Sequence, residues 1–240
     1  MTELSIGELD SLVLKAYRGA GFSWGLSQDA GRAAAWMAMR GLPAAECFAE
    51  LLQQTDGLEH SALTPVISDG NWNNVSVPPG SVTSSANSPA HTLHSALDKR
   101  PICCPVIAGS ILSDFGWSTD RELVHCTVYS PLILIPFVSL CAETSGTALS
   151  VCIRDESINL MANGQLTSGF SECGFSTHEK VTVCEWNEAS AGNELAAPRE
   201  RRATISDVAM ERLETLAHRT YVPATELSRS GAGAGLTDND

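Results

Sequence analysis

The apolar residues of this chain change their period once, and that change constrains the fold more than any other feature. In the first 55 residues they recur every three or four positions, as in Leu9, Leu12, Val13 and Ala16. That spacing is typical of amphipathic helices. From residue 101 onwards they alternate instead, as in Leu149, Val151 and Ile153, which is typical of strands with one buried face. The chain therefore predicts helices first and a sheet afterwards.

Three short helices are predicted before residue 56. Ser5 and Glu8 have the spacing of a capping box, which places the start of the first helix at Ser5. A second helix is expected from about Ser27 to the Arg40-Gly41 step, and Pro43 suits the first turn of a third. We interpret residues 1–55 as a helical subdomain.

The remaining chain divides into three predicted segments. Residues 56–100 are rich in Gly, Pro, Ser and Asn and predict a long irregular polar segment. Residues 101–220 predict a sheet domain that ends in a helix starting at Ser206 or Asp207, and residues 221–240 an ordered C-terminal tail. Contiguous strands with short links favour an antiparallel or mixed sheet, because parallel pairs need crossover helices. The predicted fold class is α+β, with an N-terminal helical subdomain, a sheet, a C-terminal helix and an extended tail.

Three local signals refine the sheet domain. The apolar run Val106–Leu112 predicts a strand with Asp114 at its end, and the apolar stretch 131–142 predicts a core segment. Asn163-Gly164 predicts a hairpin turn, because both residues tolerate positive φ.

Charge and composition exclude some partners. The formal net charge of -13 argues against nucleic acid and anionic membranes, since binding to either depends on Lys and Arg. The longest apolar stretch, residues 131–142, is too short for a membrane helix, which needs about 20 residues. Eight cysteines without a visible export signal favour a reducing compartment and buried thiols. We therefore expect a cytoplasmic protein.

The sequence contains no assembled catalytic motif. No C-x-x-C or H-x-E pattern occurs, so we expect no metal and no cofactor. His125 and Cys126 are adjacent on a predicted strand and point to opposite faces, so they do not form a catalytic dyad with each other. A dyad between a cysteine and a histidine on neighbouring strands is an open alternative. Whether the protein is an enzyme is left undecided.

Two hypotheses for function follow from the tail. It combines Tyr221 and Pro223, a glycine-alternating run at 231–235 and an acidic end at Asp238. Under the first hypothesis, the protein is an accessory or interaction protein with the tail and the irregular segment 56–100 as contact elements. The tail docks in a groove of its own subunit or of a neighbouring one, and the protein forms a homo-oligomer or a complex with a partner protein. Under the second, it is an enzyme or a small-molecule-binding protein whose cleft includes Asp114, Tyr221 and Arg229, with His125 and Asp238 as further candidate ligand-binding residues.

Three stretches carry a resemblance to a known family. They are LDSLVLKAYRGAGFSWGLSQDAGRAAAWMAMRGLP near the N-terminus, SPLILIPFVSLCAE in the middle and YVPATELSRSGAGAGLTDND at the C-terminus. Together they resemble a bacterial family known as domain of unknown function 3726. The resemblance implies an apolar strand in the middle stretch and a setting in bacterial small-molecule metabolism. It implies no activity and no catalytic residues.

Overall fold

A computed structural model describes residues 1–68, 71–74, 102–117, 124–154, 156–167, 178–187 and 200–221 of the chain. In these residues six helices are found: α1 (Ile6–Gly19), α2 (Trp24–Ala38), α3 (Ala44–Thr55), α4 (Pro105–Phe115), α5 (Ile135–Ser145) and α6 (Asp207–His218). The strands in the same residues are β1 (Thr2–Ser5), β2 (Pro65–Ser68), β3 (Asn71–Asn74), β4 (Val124–Tyr129), β5 (Leu149–Ile153), β6 (Glu156–Leu160), β7 (His178–Glu185) and β8 (Arg202–Ile205). The mixture of helices and antiparallel strands confirms the α+β class.

The three N-terminal helices confirm the local sequence signals. The Ser5 side chain accepts from the Glu8 backbone N–H at 3.2 Å, and the Glu8 carboxylate accepts from the Ser5 N–H at 2.7 Å. This capping box starts α1, as predicted. Helix α2 starts at Trp24, earlier than predicted, because the Ser23 side chain caps it by accepting from the Leu26 N–H.

Two strand predictions for the middle of the chain are wrong. The run 106–112 is not a strand but part of α4, and the stretch 131–142, for which the family resemblance implies a strand, forms a short 3-10 turn (Pro131–Leu134) followed by α5. The prediction that residues 131–142 are a core segment is confirmed by their burial. Nearly all side chains in both stretches are buried, so the sequence shows neither helical nor strand alternation. Pro105 and Pro136 lie in the first turns of these helices, where a missing N–H is tolerated.

The sheet has the order β4-β7-β5-β6, and each neighbouring pair is antiparallel. Inward-facing side chains such as Val151 and Val183 are fully buried, and helix α5 packs against β5 and β6. The predicted turn at Asn163-Gly164 is confirmed: Gly164 has φ of 74°, and its N–H donates to the Met161 carbonyl. A further short hairpin, β2–β3, lies within the segment predicted to be irregular.

The final helix packs against the first helices of the chain. Strand β8 pairs with β1, and α6 contacts α1 and α3. Gly19 allows α1 and α6 to approach closely, because a Cβ at this position would overlap the Leu216 carbonyl group. Helix α6 confirms the predicted start at Ser206 or Asp207, and it buries Ala209, Leu213, Leu216 and Ala217. Within the described ranges, no helix is long and apolar enough to cross a lipid bilayer.

Candidate functional site

A shallow groove of about 540 Å³ lies on the exposed side of the contact between α1 and α6. Helix α1 contributes Glu8, Ser11, Leu12 and Lys15, whose spacing places them on one helical face. Helix α6 contributes Glu214, Ala217 and His218, and Tyr221 follows the helix at one end of the groove. We call this feature the α1–α6 groove.

Aromatic and cationic groups meet where the groove reaches Tyr221. The Tyr221 side chain is 52% exposed, and the His218 ring lies 5.2 Å from its ring centroid at an interplanar angle of 71°. The Lys15 ammonium lies 5.7 Å from the same centroid, within the range of a cation–π contact. One turn further along α1, the Arg18 guanidinium lies 6.0 Å from the ring of Trp24, which is also exposed. This end of the groove thus presents positive charge in a strongly acidic protein.

The other end of the groove is anionic. Hydrogen bonds from the Ser5 backbone and side chain lower the pKa of Glu8, so its carboxylate stays charged at neutral pH. That carboxylate already caps α1. The described groove residues therefore provide charges, hydrogen-bonding groups and an exposed aromatic ring, but no nucleophile paired with a base.

The structure describes the side chains of two predicted site residues, Asp114 and Tyr221, and does not bring them into one groove. Tyr221 lines the groove, whereas Asp114 is exposed in the last turn of α4 and does not line it. Asp114 thus lies within a helix rather than at the end of the predicted strand. His125 lies on β4 opposite Thr182, and its side chain is outside the described part of the structure, as are Arg229 and Asp238.

Sequence reasoning missed Lys15 and the groove role of His218. The signal for Lys15 was its helical spacing from Glu8 and Ser11, which placed it on the exposed side of α1. His218 was explained by its position at the end of a helix, where positive charge is favourable. Neither signal indicates that α1 and α6 lie side by side, because these helices are distant in the sequence.

A second polar cluster lies inside the core. The Tyr17 hydroxyl is fully buried beside the Cys104 thiol, yet it has no hydrogen-bond partner of acceptable geometry. Burial raises the pKa of Tyr17 well above its usual range and that of Cys104 to about 11, so both groups are neutral at pH 7. Cys103, Cys104, Cys47 and Cys141 are buried, which agrees with the expectation of buried thiols.

Within the described ranges, no three His, Cys, Asp or Glu side chains converge in a way that would hold a metal ion.

Comparisons with known proteins bear on one part of the chain. Residues 4–76 match the family described as "Protein of unknown function (DUF3726)". This match confirms the predicted family resemblance for the N-terminal stretch, whereas the middle and C-terminal stretches lie outside the matched residues. It includes the α1 side of the groove, while the α6 side lies beyond the matched residues. No curated protein and no solved structure matches the chain.

Proposed function

We propose that the protein is an accessory or interaction protein of bacterial small-molecule metabolism, that it acts in the cytoplasm, and that the α1–α6 groove is the contact surface for its own C-terminal segment. One observation carries the proposal: Tyr221, the last described residue, lies in the groove between Lys15 and His218. The chain continues from this point with residues 222–240, so the groove and the predicted docking tail meet at Tyr221.

The occupant that we assign to the groove is the segment 222–240 of the same chain. This segment carries Glu226, Asp238 and Asp240 against a single basic residue, Arg229. Its negative charge complements Lys15 at the Tyr221 end of the groove. Pro223 restricts the backbone just after Tyr221, which lowers the entropy lost when the segment is held in an extended form.

Chain length favours binding within one subunit. From Lys15 back to Ser5, helix α1 rises about 15 Å, whereas residues 222–240 span about 60 Å when fully extended. The segment is therefore long enough to cover the whole groove of its own subunit. A short tether raises the effective concentration of the segment to the millimolar range, so weak contacts suffice for docking.

Trypsin digestion of the full-length native protein tests this proposal. Cleavage after Arg229 releases residues 230–240, which mass spectrometry detects. We expect this cleavage to be at least tenfold slower in the native protein than in a free peptide of residues 222–240, because a docked segment is shielded from the protease. Lys15→Glu should speed the cleavage about tenfold by introducing repulsion with the acidic segment.

Lys180→Glu is the matched control, since it makes the same charge change on an exposed position of β7, away from the groove. It should leave the cleavage rate unchanged. Cleavage of the native protein at the rate of the free peptide would refute docking. Protection that disappears on dilution would instead assign the segment to the groove of a neighbouring copy, as in a homo-oligomer.

The alternative of a small-molecule-binding protein or enzyme is distinguished by a thermal-shift screen with carboxylates and nucleotides. A ligand that binds only the folded state raises its apparent stability. A compound that stabilises the native protein and loses its effect in Tyr221→Ala would make the groove a small-molecule site, and the contact-surface proposal would then be wrong.

A further inference from the structure

Two cysteines lie close together on the outer face of the sheet. Strands β5 and β7 pair so that Ser150 lies opposite Cys184 and Cys152 lies opposite Thr182. Cys152 and Cys184 are therefore diagonal neighbours on adjacent strands. They share the face opposite to that of the buried Val151 and Val183, because side chains alternate along a strand.

The surroundings of this thiol pair are polar and partly open. The Cys152 sulfur lies 3.3 Å from the Ser157 hydroxyl oxygen and 3.8 Å from the Ser150 hydroxyl oxygen. The Cys184 thiol also interacts with that of Cys152. Both cysteines are half-buried, whereas Cys47, Cys103, Cys104 and Cys141 are buried. Among the cysteines whose side chains are described, Cys152 and Cys184 are the two that are partly exposed to solvent.

We propose that Cys152 and Cys184 form a thiol-oxidation site that reacts with hydroperoxides. In the first step, the Cys152 thiolate attacks the O–O bond of the hydroperoxide: an S–O bond forms and the O–O bond breaks. Sulfur is oxidised to sulfenic acid, and the peroxide is reduced by two electrons to an alkoxide or hydroxide, which takes a proton from solvent water and leaves as an alcohol or water. In the second step, the Cys184 sulfur attacks the sulfenic sulfur: an S–S bond forms, the S–O bond breaks, and the leaving hydroxide takes the Cys184 proton as water.

The environments of the two sulfurs assign their order of reaction. Burial, together with the neighbouring Cys152, raises the pKa of Cys184, so this thiol keeps its proton at neutral pH. The Ser157 hydroxyl lies 3.3 Å from the Cys152 sulfur and can donate a hydrogen bond to it, so we assign Cys152 as the attacking thiol. Cys184 is then the resolving thiol.

The diagonal arrangement favours a reversible bond. Diagonal Cα atoms on paired strands are about 7–8 Å apart, beyond the usual span of a disulfide. Because the offset between the two cysteines runs along the strands, closing the bond must shift β5 and β7 lengthwise against each other, and a disulfide made at the expense of native geometry is easily reduced. A readily reduced bond suits a redox signal rather than a permanent crosslink.

Peroxide treatment of the full-length protein tests the site. Equimolar hydrogen peroxide should produce a disulfide between Cys152 and Cys184, which tandem mass spectrometry of the tryptic peptides identifies. In Cys184→Ser the sulfenic acid at Cys152 should persist, so labelling of Cys152 by dimedone should rise at least tenfold. Cys152→Ser should slow peroxide consumption at least tenfold.

Cys47→Ser changes a buried cysteine of α3 and is the matched control, which should behave like the unaltered protein. Cys152→Ala serves as a second variant, and the far-UV circular dichroism of each variant establishes that it folds. In the unaltered protein, iodoacetamide should modify Cys152 faster than Cys47. Oxidation that begins at any other cysteine, or dimedone labelling of Cys152 that does not depend on Cys184, would overturn the proposal.

Discussion

Tyr17 is a fully buried core residue whose side chain carries a polar hydroxyl group. Its ring packs between Phe22, at a centroid distance of 4.7 Å, and Phe48, at 5.8 Å. Its hydroxyl is buried without a hydrogen-bond partner, although the Cys104 thiol lies beside it. A buried hydroxyl without a partner opposes folding, because it loses its hydrogen bonds to water and gains none in return.

We expect Tyr17→Phe to leave the free energy of unfolding unchanged or to raise it by up to about 1 kcal/mol, because the ring contacts stay and only the unpaired hydroxyl is removed. Urea denaturation measures the change. Ser139→Ala is the control: the Ser139 hydroxyl donates to the Gly164 carbonyl at 2.7 Å, so its loss should cost about 1–3 kcal/mol. A decrease of more than about 1 kcal/mol in the free energy of unfolding of Tyr17→Phe would show that the hydroxyl makes a hydrogen bond in the folded protein.

At the scale of the element, close contact between helices depends on glycine, which has no side chain. Helix α2 packs against α1 at Gly31, where a Cβ would lie 2.9 Å from the Asp10 backbone oxygen and would also overlap the Asp10 carboxylate. The carboxylate is able to move away, but the backbone oxygen is held by its helix. Gly25 lies near the start of the same helix with open space around it.

Gly31→Ala should therefore lower the free energy of unfolding by about 1–3 kcal/mol, because α1 and α2 must separate to admit the methyl group. The matched variant Gly25→Ala adds the same methyl group to the same helix and should raise stability by up to about 1 kcal/mol through its higher helix propensity. Thermal unfolding followed by circular dichroism measures both. Equal effects of the two substitutions would contradict the close contact at Gly31.

At the scale of the whole molecule, the end of α6 is tied to the end of α3. The two terminal guanidinium nitrogens of Arg219 each donate to one carboxylate oxygen of Asp56, both at 2.8 Å. The hydrogen bond to Asp56 raises the pKa of Arg219. A second ion pair joins Arg212 to Glu50 at 3.5 Å. These contacts join residues more than 150 positions apart and hold α6 in the position that forms the groove.

A double-mutant cycle with Arg219→Ala and Asp56→Ala should give a coupling energy of about 0.5–1 kcal/mol, because the pair is bidentate but partly exposed. The coupling should fall as the salt concentration rises. The equivalent cycle on Arg212 and Glu50 should give a smaller value, since this pair has a single long contact. Guanidinium is itself a salt, so the measurement requires urea. A coupling energy of zero for Arg219 and Asp56 would contradict the role of this pair.

The sequence by itself determined the features that depend on neighbouring residues. The capping box at Ser5 and Glu8, the start of α6 after Ser206 and the turn at Asn163-Gly164 were all predictable, because each depends on side chains within four residues of one another. The alternation in β5 was predictable for the same reason, since one face of the strand is buried and the other is less so.

Only the tertiary structure decided the rest. Most apolar side chains of α4 and α5 are buried, so their sequences carry no clear period that would distinguish a helix from a strand. The groove requires Lys15 and Tyr221 to meet, and the thiol pair requires the register of β5 against β7. Both depend on contacts between residues far apart in the chain, and local propensity contains no information about such contacts.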